Sequence, residues 1–222
     1  MIAYQDTVGS LAARSQAALK VLRQHGIDFC CGGGQPLGQA CAEAGLDPEQ
    51  LMAEIEAAES AVGTPEVSWA EQPLEALVHH ILDDYHAPLR RDIPTLRALS
   101  TKVAQVHAAD DGERLRSLAS TFAALADDLE SHMEKEEQVL FPWILAGDGA
   151  QAGAPIRVMQ AEHQAAAGLL ARIRELTDDF RVPAGACDGW KGLLQGLSDT
   201  DASLREHIHL ENNILFPRAL AG

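Results

Sequence analysis

His132-Met133-Glu134-Lys135-Glu136-Glu137-Gln138-Val139-Leu140-Phe141-Pro142 decides the reading of this chain, because it comes twice. The second copy, 75 residues later, is His207-Ile208-His209-Leu210-Glu211-Asn212-Asn213-Ile214-Leu215-Phe216-Pro217. Both read His-x3-Glu-x3-Leu-Phe-Pro. On an α-helix, residues four apart lie one turn apart on the same face. Each copy therefore aims one imidazole and one carboxylate in the same direction. Two such helices facing each other would gather two His and two Glu in one small volume, where buried carboxylates are costly unless a cation compensates them. A metal site in a helical bundle meets that requirement.

The duplication extends outward. Tyr85-His86 precedes the first copy and Glu162-His163 the second, with spacings of 46 residues from His86 to His132 and 44 from His163 to His207. Each half of the chain is then a helical hairpin carrying one lone His on its first helix and His-x3-Glu on its second. The periodicity predicts long helices over residues 74–106, 113–145, 155–179 and 188–219, the first interrupted or kinked around Pro88 and Pro94. Gly147-Asp148-Gly149 and Pro183 with Gly185 break the pattern between them. Four helices with short connections describe an all-α, up-down four-helix bundle.

Pooling both halves gives His86, His132, Glu136, His163, His207 and Glu211. Four imidazoles and two carboxylates exceed one ion's needs and suit two, each with two His and both bridged by the Glu pair. A nitrogen and oxygen donor set without thiolate disfavours structural zinc and fits iron or manganese, with iron preferred. A single His-x3-Glu carries little weight, since such pairs also occur on exposed helix faces for about 0.2–0.5 kcal/mol. That alternative leaves the repeated Leu-Phe-Pro unexplained. Asp128, four before His132, and Glu162, beside His163, are candidates to accept an imidazole N–H. His209 should point to another face, His79 stays peripheral, and His25, His80 and His107 have no partner at ligand spacing.

Ahead of the bundle, residues 1–62 read as a small helical module, with a first helix capped at Thr7 or Ser10 and running to about 24, then helices over 36–44 and 48–61. Residues 63–72 read as a linker. Asp28-Phe29-Cys30-Cys31-Gly32-Gly33-Gly34 interrupts the module with a vicinal thiol pair in a glycine-rich turn. Backbone N–H groups and a following helix dipole are expected to lower a thiol pKa there. Two small residues buried in a tight turn is the plainer reading of the same pair. Cys41 and Cys187 read as structural.

The bulk properties narrow the function. A net charge of −16 argues against nucleic-acid binding and against anionic membranes. No apolar run reaches signal-peptide or transmembrane length. Four cysteines at positions 30, 31, 41 and 187 do not form a secreted disulfide framework, so a reducing cytoplasm is expected.

The combination of Asp28-Phe29-Cys30-Cys31-Gly32-Gly33 with the His86, His132-x3-Glu136, His163, His207-x3-Glu211 series resembles the di-iron iron–sulfur cluster repair family. That family joins an ScdA-type N-terminal module to a hemerythrin-like bundle, and the resemblance covers residues 1–62 and 73–222. It implies two non-haem iron ions, oxo- or hydroxo-bridged, held by those six residues, with Cys30 and Cys31 as a relay. It implies repair of clusters damaged by nitrosative or oxidative stress, through iron donation, nitric oxide reduction or both. The implied partners are damaged iron–sulfur proteins, nitric oxide or oxygen, an electron donor and a second copy in a homodimer. Oxygen-carrying hemerythrins offer five His with one Glu and one Asp, so four His and two Glu favour reactivity over reversible carriage. A non-catalytic oxygen, nitric oxide or iron sensor is the competing reading.

Overall fold

A computed structural model describes residues 2–61 and 68–222. The described chain is all-α; its extended backbone pairs only in an isolated bridge between Thr7 and Pro36. The N-terminal module comprises α1 (Val8–Arg14), α2 (Gln16–Gln24), α3 (Leu37–Ala44) and α4 (Pro48–Ala61). The expected single first helix is two. Thr7 caps α1, accepting from the Ser10 N–H at 3.3 Å. Ser15 then leaves the helical region at φ −147 and caps α2 by accepting from the Ala18 N–H at 3.2 Å. A serine competes with the helix for local hydrogen bonds, and here it turns the chain.

Of the expected linker, residues 63–67 lie outside the described residues. Its remainder is a turn in which Ser68 accepts from the Glu71 N–H, and Arg218 at the far end of the chain donates to the Trp69 carbonyl at 3.0 Å.

The bundle contains α5 (Leu74–Ile81), α6 (Ala87–Val106), α7 (Ala108–Lys135), α8 (Phe141–Leu145), α9 (Gly153–Thr177), α10 (Asp188–Leu210) and α11 (Phe216–Ala221). These make four long rods. α5 and α6 are one rod joined by a π-helical turn at Leu82–His86, α7 and α8 another joined at Glu136–Leu140, and α10 and α11 a third joined at Glu211–Leu215. Helix α9 is the unbroken fourth. α7 packs on α6 and α9, and α10 packs on α6. Helix α7 begins earlier than the pattern indicates, at Ala108, and bends at Asp111 (φ −150, ψ 48).

Prolines place the π turns. Each is followed by a helix with Pro at its second residue: Pro88, Pro142 and Pro217. A proline has no N–H to donate and its ring crowds the carbonyl four residues back. The widened turn relieves that crowding, with the Ala87, Phe141 and Phe216 N–H groups bonding five residues back to Leu82, Glu136 and Glu211. Pro94 produces no break; α6 runs through it. The recurrent Leu-Phe-Pro is thus a device that inserts one residue into the rod where the carboxylate sits.

Module and bundle share a buried apolar core that includes Leu11, Leu22, Phe29 and Leu37 from the first and Leu129, Leu204 and Ile208 from the second. Burying a Leu or Phe side chain contributes about 1.5–3 kcal/mol each, so this core presses the cysteine loop against the bundle.

Candidate metal centre

The six residues singled out by the repeat converge. His86, Glu136, His207 and Glu211 bring one ligand atom each to within 4.8 Å of one another, and so do His132, Glu136, His163 and Glu211. All six are buried, at 4% exposure or less. The π turns begin at Glu136 and at Glu211 and end at His86, so three of the four rods widen at the cluster.

The pairing crosses the repeat. His86 Nε2 lies 3.2 Å from His207 Nε2, and His132 Nε2 lies 3.0 Å from His163 Nε2. Each carboxylate spans both pairs. Glu136 faces His86 and His132 at 3.4 Å each, and Glu211 faces His163 at 3.1 Å and His207 at 3.0 Å. Each imidazole pair therefore takes one ring from each half of the chain.

The outer ring nitrogens show why the Nε2 atoms point inward. His86 Nδ1–H donates to Glu137 at 2.8 Å, and His132 Nδ1–H donates to Glu162 at 2.9 Å. His163 Nδ1–H donates to the Asn212 amide oxygen at 3.0 Å. With Nδ1 protonated, Nε2 presents a lone pair. Arg90 braces Glu137 and Lys135 braces Glu162. Asp128, the other expected acceptor, lies exposed on the wall of a cavity of about 210 Å³ that His132, Glu162, His163 and His207 also line. His79 is exposed, and His80 stacks on Trp69. His25 pairs with Glu54 at 2.6 Å, and His107 approaches Cys187 at 3.3 Å.

Electrostatics give the cluster its meaning. All four carboxylate oxygens of Glu136 and Glu211 are buried with no hydrogen-bond partner among the described residues. Burial and the neighbouring Glu211 push the Glu136 carboxyl well above its usual range. Burial also opposes the Glu211 charge, yet the His207 and His163 imidazoles outweigh it and hold Glu211 well below that range. Burial lowers His86 and His132 to about 4, leaving both rings neutral near pH 7. Orphaned carboxylates among four buried imidazoles, two of them held neutral by burial, are a donor set that fits metal cations. Hard oxygen with imidazole nitrogen, and no thiolate, fits iron.

Several residues that matter here carried no individual signal in the sequence. Phe141 stacks on His86 with centroids 5.8 Å apart, and Phe216 stacks on His163 at 6.0 Å, so each repeated Phe steadies the lone His of its own half. Glu137 and Asn212 occupy the same position in the two copies, immediately after the repeated Glu. The repeated Leu-Phe-Pro was the available pointer to the two rings.

The cysteine loop lies against this centre. The Asp28 carboxylate accepts from the Cys30 and Cys31 N–H groups at 3.1 and 3.0 Å and from the Cys30 thiol at 3.1 Å. Those amides are therefore spent on a carboxylate, and α3 starts only at Leu37, so the expected lowering of a thiol occurs at Cys31 but comes from its neighbouring thiol and not from the backbone N–H groups or the helix. The Cys31 contact, followed by burial, pushes Cys30 up, while the same contact pulls Cys31 down. Cys31 Sγ donates to the His163 carbonyl at 3.7 Å. All four cysteines are free thiols. His209 does face away from the cluster, but it is buried against Phe29, whose ring meets it edge-on at 5.6 Å.

Comparison with known proteins gives this geometry its family. A hemerythrin HHE cation-binding domain model matches residues 77–219, and a model for the ScdA N-terminal domain, described as a domain of unknown function, matches residues 4–59. A relative from Yersinia pseudotuberculosis, named iron–sulfur cluster repair protein YtfE, is 43% identical over 217 residues, covering 98% of this chain and 97% of its own. The protein of that name from Yersinia pestis strain Pestoides F is 42% identical over 220 residues with the same coverage. The chain belongs to the YtfE iron–sulfur cluster repair family. The fold is that of the hemerythrin-like domain, and the buried His and Glu cluster fits the cation-binding character of this family.

Among the described residues no helix is long and apolar enough to cross a membrane.

Proposed function

We propose that this chain is a di-iron protein that repairs iron–sulfur clusters damaged by nitrosative or oxidative stress. The single observation that supports this most is the set of four orphaned carboxylate oxygens facing four inward Nε2 atoms. His86 and His207 would hold one iron, His132 and His163 the other, and Glu136 and Glu211 would bridge them. In this reading residues 1–62 carry the vicinal thiols, 63–72 connect, and 73–222 hold the metal. The family names carried by the Yersinia relatives supply the repair role.

When bound, iron supplies one-electron chemistry and open positions for a small ligand such as nitric oxide or oxygen. The protein's own contribution is positional. Glu137, Glu162 and Asn212 fix three rings in the tautomer that leaves Nε2 free. Phe141 and Phe216 exclude water from the sides of His86 and His163. The cavity against His132 and His207 leads a small molecule to the cluster. Cys30 and Cys31 act as the relay between the centre and the damaged client, with Cys31 the more readily ionised of the two. The protein acts as a homodimer in the cytoplasm and takes electrons from an external donor.

The test is iron content with a visible spectrum, followed by anaerobic addition of nitric oxide to the reduced protein. Two irons per chain and nitrous oxide in proportion to them support the reading. Nitric oxide retained without turnover, with no iron passed to a damaged cluster, favours the sensor instead. A protein that retains no iron ends both.

A further inference from the structure

The duplication makes the two halves each other's control, and the residues behind the imidazoles do not obey it. In the first half the residue after the bridging carboxylate is Glu137, which accepts from His86 Nδ1; in the second half that position is Asn212, which accepts from His163 Nδ1. The residue before the lone His is Glu162 in the second half, and it accepts from His132 Nδ1. The matching residue in the first half is Tyr85. Its ring lies over His207 at 5.6 Å and 25° between planes, and His207 Nδ1 is buried with no hydrogen-bond partner among the described residues.

The four rings are consequently unequal. One imidazole pair, His132 with His163, has an acceptor behind both rings. The other, His86 with His207, has an acceptor behind one. A ring that gives its Nε2 to a metal must carry its proton on Nδ1, and that proton needs an acceptor. For His207 the N–H would stay buried and unpaired, which costs free energy each time the metal is bound. The Asn212 link also runs onward, since its amide nitrogen donates to the Cys30 carbonyl at 3.3 Å. The better-supported pair is thus fastened to the cysteine loop, and the other is not.

From this broken symmetry we infer that the two metal positions differ in affinity, that the His86–His207 position is the weaker, and that Tyr85 sets the difference. The inference rests on the di-metal reading above. Removing an acceptor behind a metal-bound imidazole lowers affinity by about 10–100-fold, so a gap of that size is expected between the two positions.

The experiment uses the full-length metal-free protein, titrated anaerobically with ferrous ion and read by calorimetry, with stepwise removal by a chelator as the second readout. The expected result is two binding events separated by about 10–100-fold and release in a fast and a slow phase. His207→Ala should abolish the weak event and His163→Ala the tight one. Tyr85→Glu places a carboxylate where the other half has Glu162 and should close the gap and slow the fast phase. Tyr85→Phe, which keeps the ring and adds no acceptor, should leave the gap unchanged. Two ions bound with equal affinity, or His207→Ala removing the tight event, would overturn the inference while leaving the di-metal reading standing. Fewer than two ions per chain would overturn both.

Discussion

His86 and His207 stand 121 residues apart in the chain, and their Nε2 atoms lie 3.2 Å apart in the fold. One comes from the first half of the duplication, the other from the second. Neither half can complete a two-imidazole pair by itself. The centre therefore reports on assembly of the whole bundle.

The carboxylates should show opposite effects on stability and on metal binding. Glu136→Gln replaces a carboxyl that burial and the neighbouring Glu211 keep from ionising in the metal-free fold, a restraint that costs stability at neutral pH because the unfolded chain is free to ionise it. The metal-free variant should melt higher than the metal-free parent. Each kcal/mol gained in a chain of this size raises the midpoint by about 2–4 °C. Iron retention and the visible bands should fall at the same time. Calorimetry of both metal-free forms, with iron analysis after loading, checks the pair of signs; a lower metal-free midpoint would refute the electrostatic account.

His209 gives a pH dependence that can be isolated. Burial lowers it to about 4 from an ordinary 6.5. Between those values the unfolded chain takes up a proton that the folded chain refuses, so stability falls as pH drops from about 6.5 to about 4 and is level above 6.5. The steepest loss is about 1.4 kcal/mol per pH unit. His209→Gln should be less stable than the parent at pH 7.5, having lost the contacts at Phe29, and the deficit should shrink at pH 5. Urea midpoints at the two values measure it, and a constant deficit would count against the titration.

Pro217 should act on the centre without touching it. Pro217→Ala restores an N–H and lets the Glu211–Leu215 turn relax towards regular helix, rotating Glu211. Metal affinity should fall while the metal-free fold is as stable as before or more so. Phe216→Ala should cost about 3–5 kcal/mol through the lost core ring and weaken metal retention at His163 besides. Unchanged affinity in Pro217→Ala would show that the π turn does not aim the carboxylate.

Gly33 is the tightest point of the cysteine loop. A Cβ there would come within 2.2 Å of Asn213 Oδ1, and one on Gly9 within 2.3 Å. Asn213 also donates to the Phe29 carbonyl at 3.1 Å. Gly33→Ala should push the loop off the bundle and raise the alkylation rate of Cys30 and Cys31, with the bundle's helicity unchanged. An alkylation rate equal to the parent's would mean that this contact does not hold the thiols.

The four rods, their order and the six converging residues were legible in the sequence, because 3.6-residue periodicity and a duplicated motif are local patterns that survive without coordinates. The Leu-Phe-Pro following each Glu was visible as a signal but not as a mechanism, since the π turn it forces depends on hydrogen bonds five residues back. Ser15 split a helix that apolar spacing alone had joined, because a side-chain cap outweighs periodicity locally. What only the tertiary structure decided was partnership. It paired His86 with His207 and His132 with His163, set Tyr85 over a ring that its counterpart Glu162 would have bonded, and spent the amides of the cysteine turn on Asp28. A linear sequence records which donors exist. Which of them share a point in space follows from how the rods pack, where burial and the directionality of hydrogen bonds make the choice.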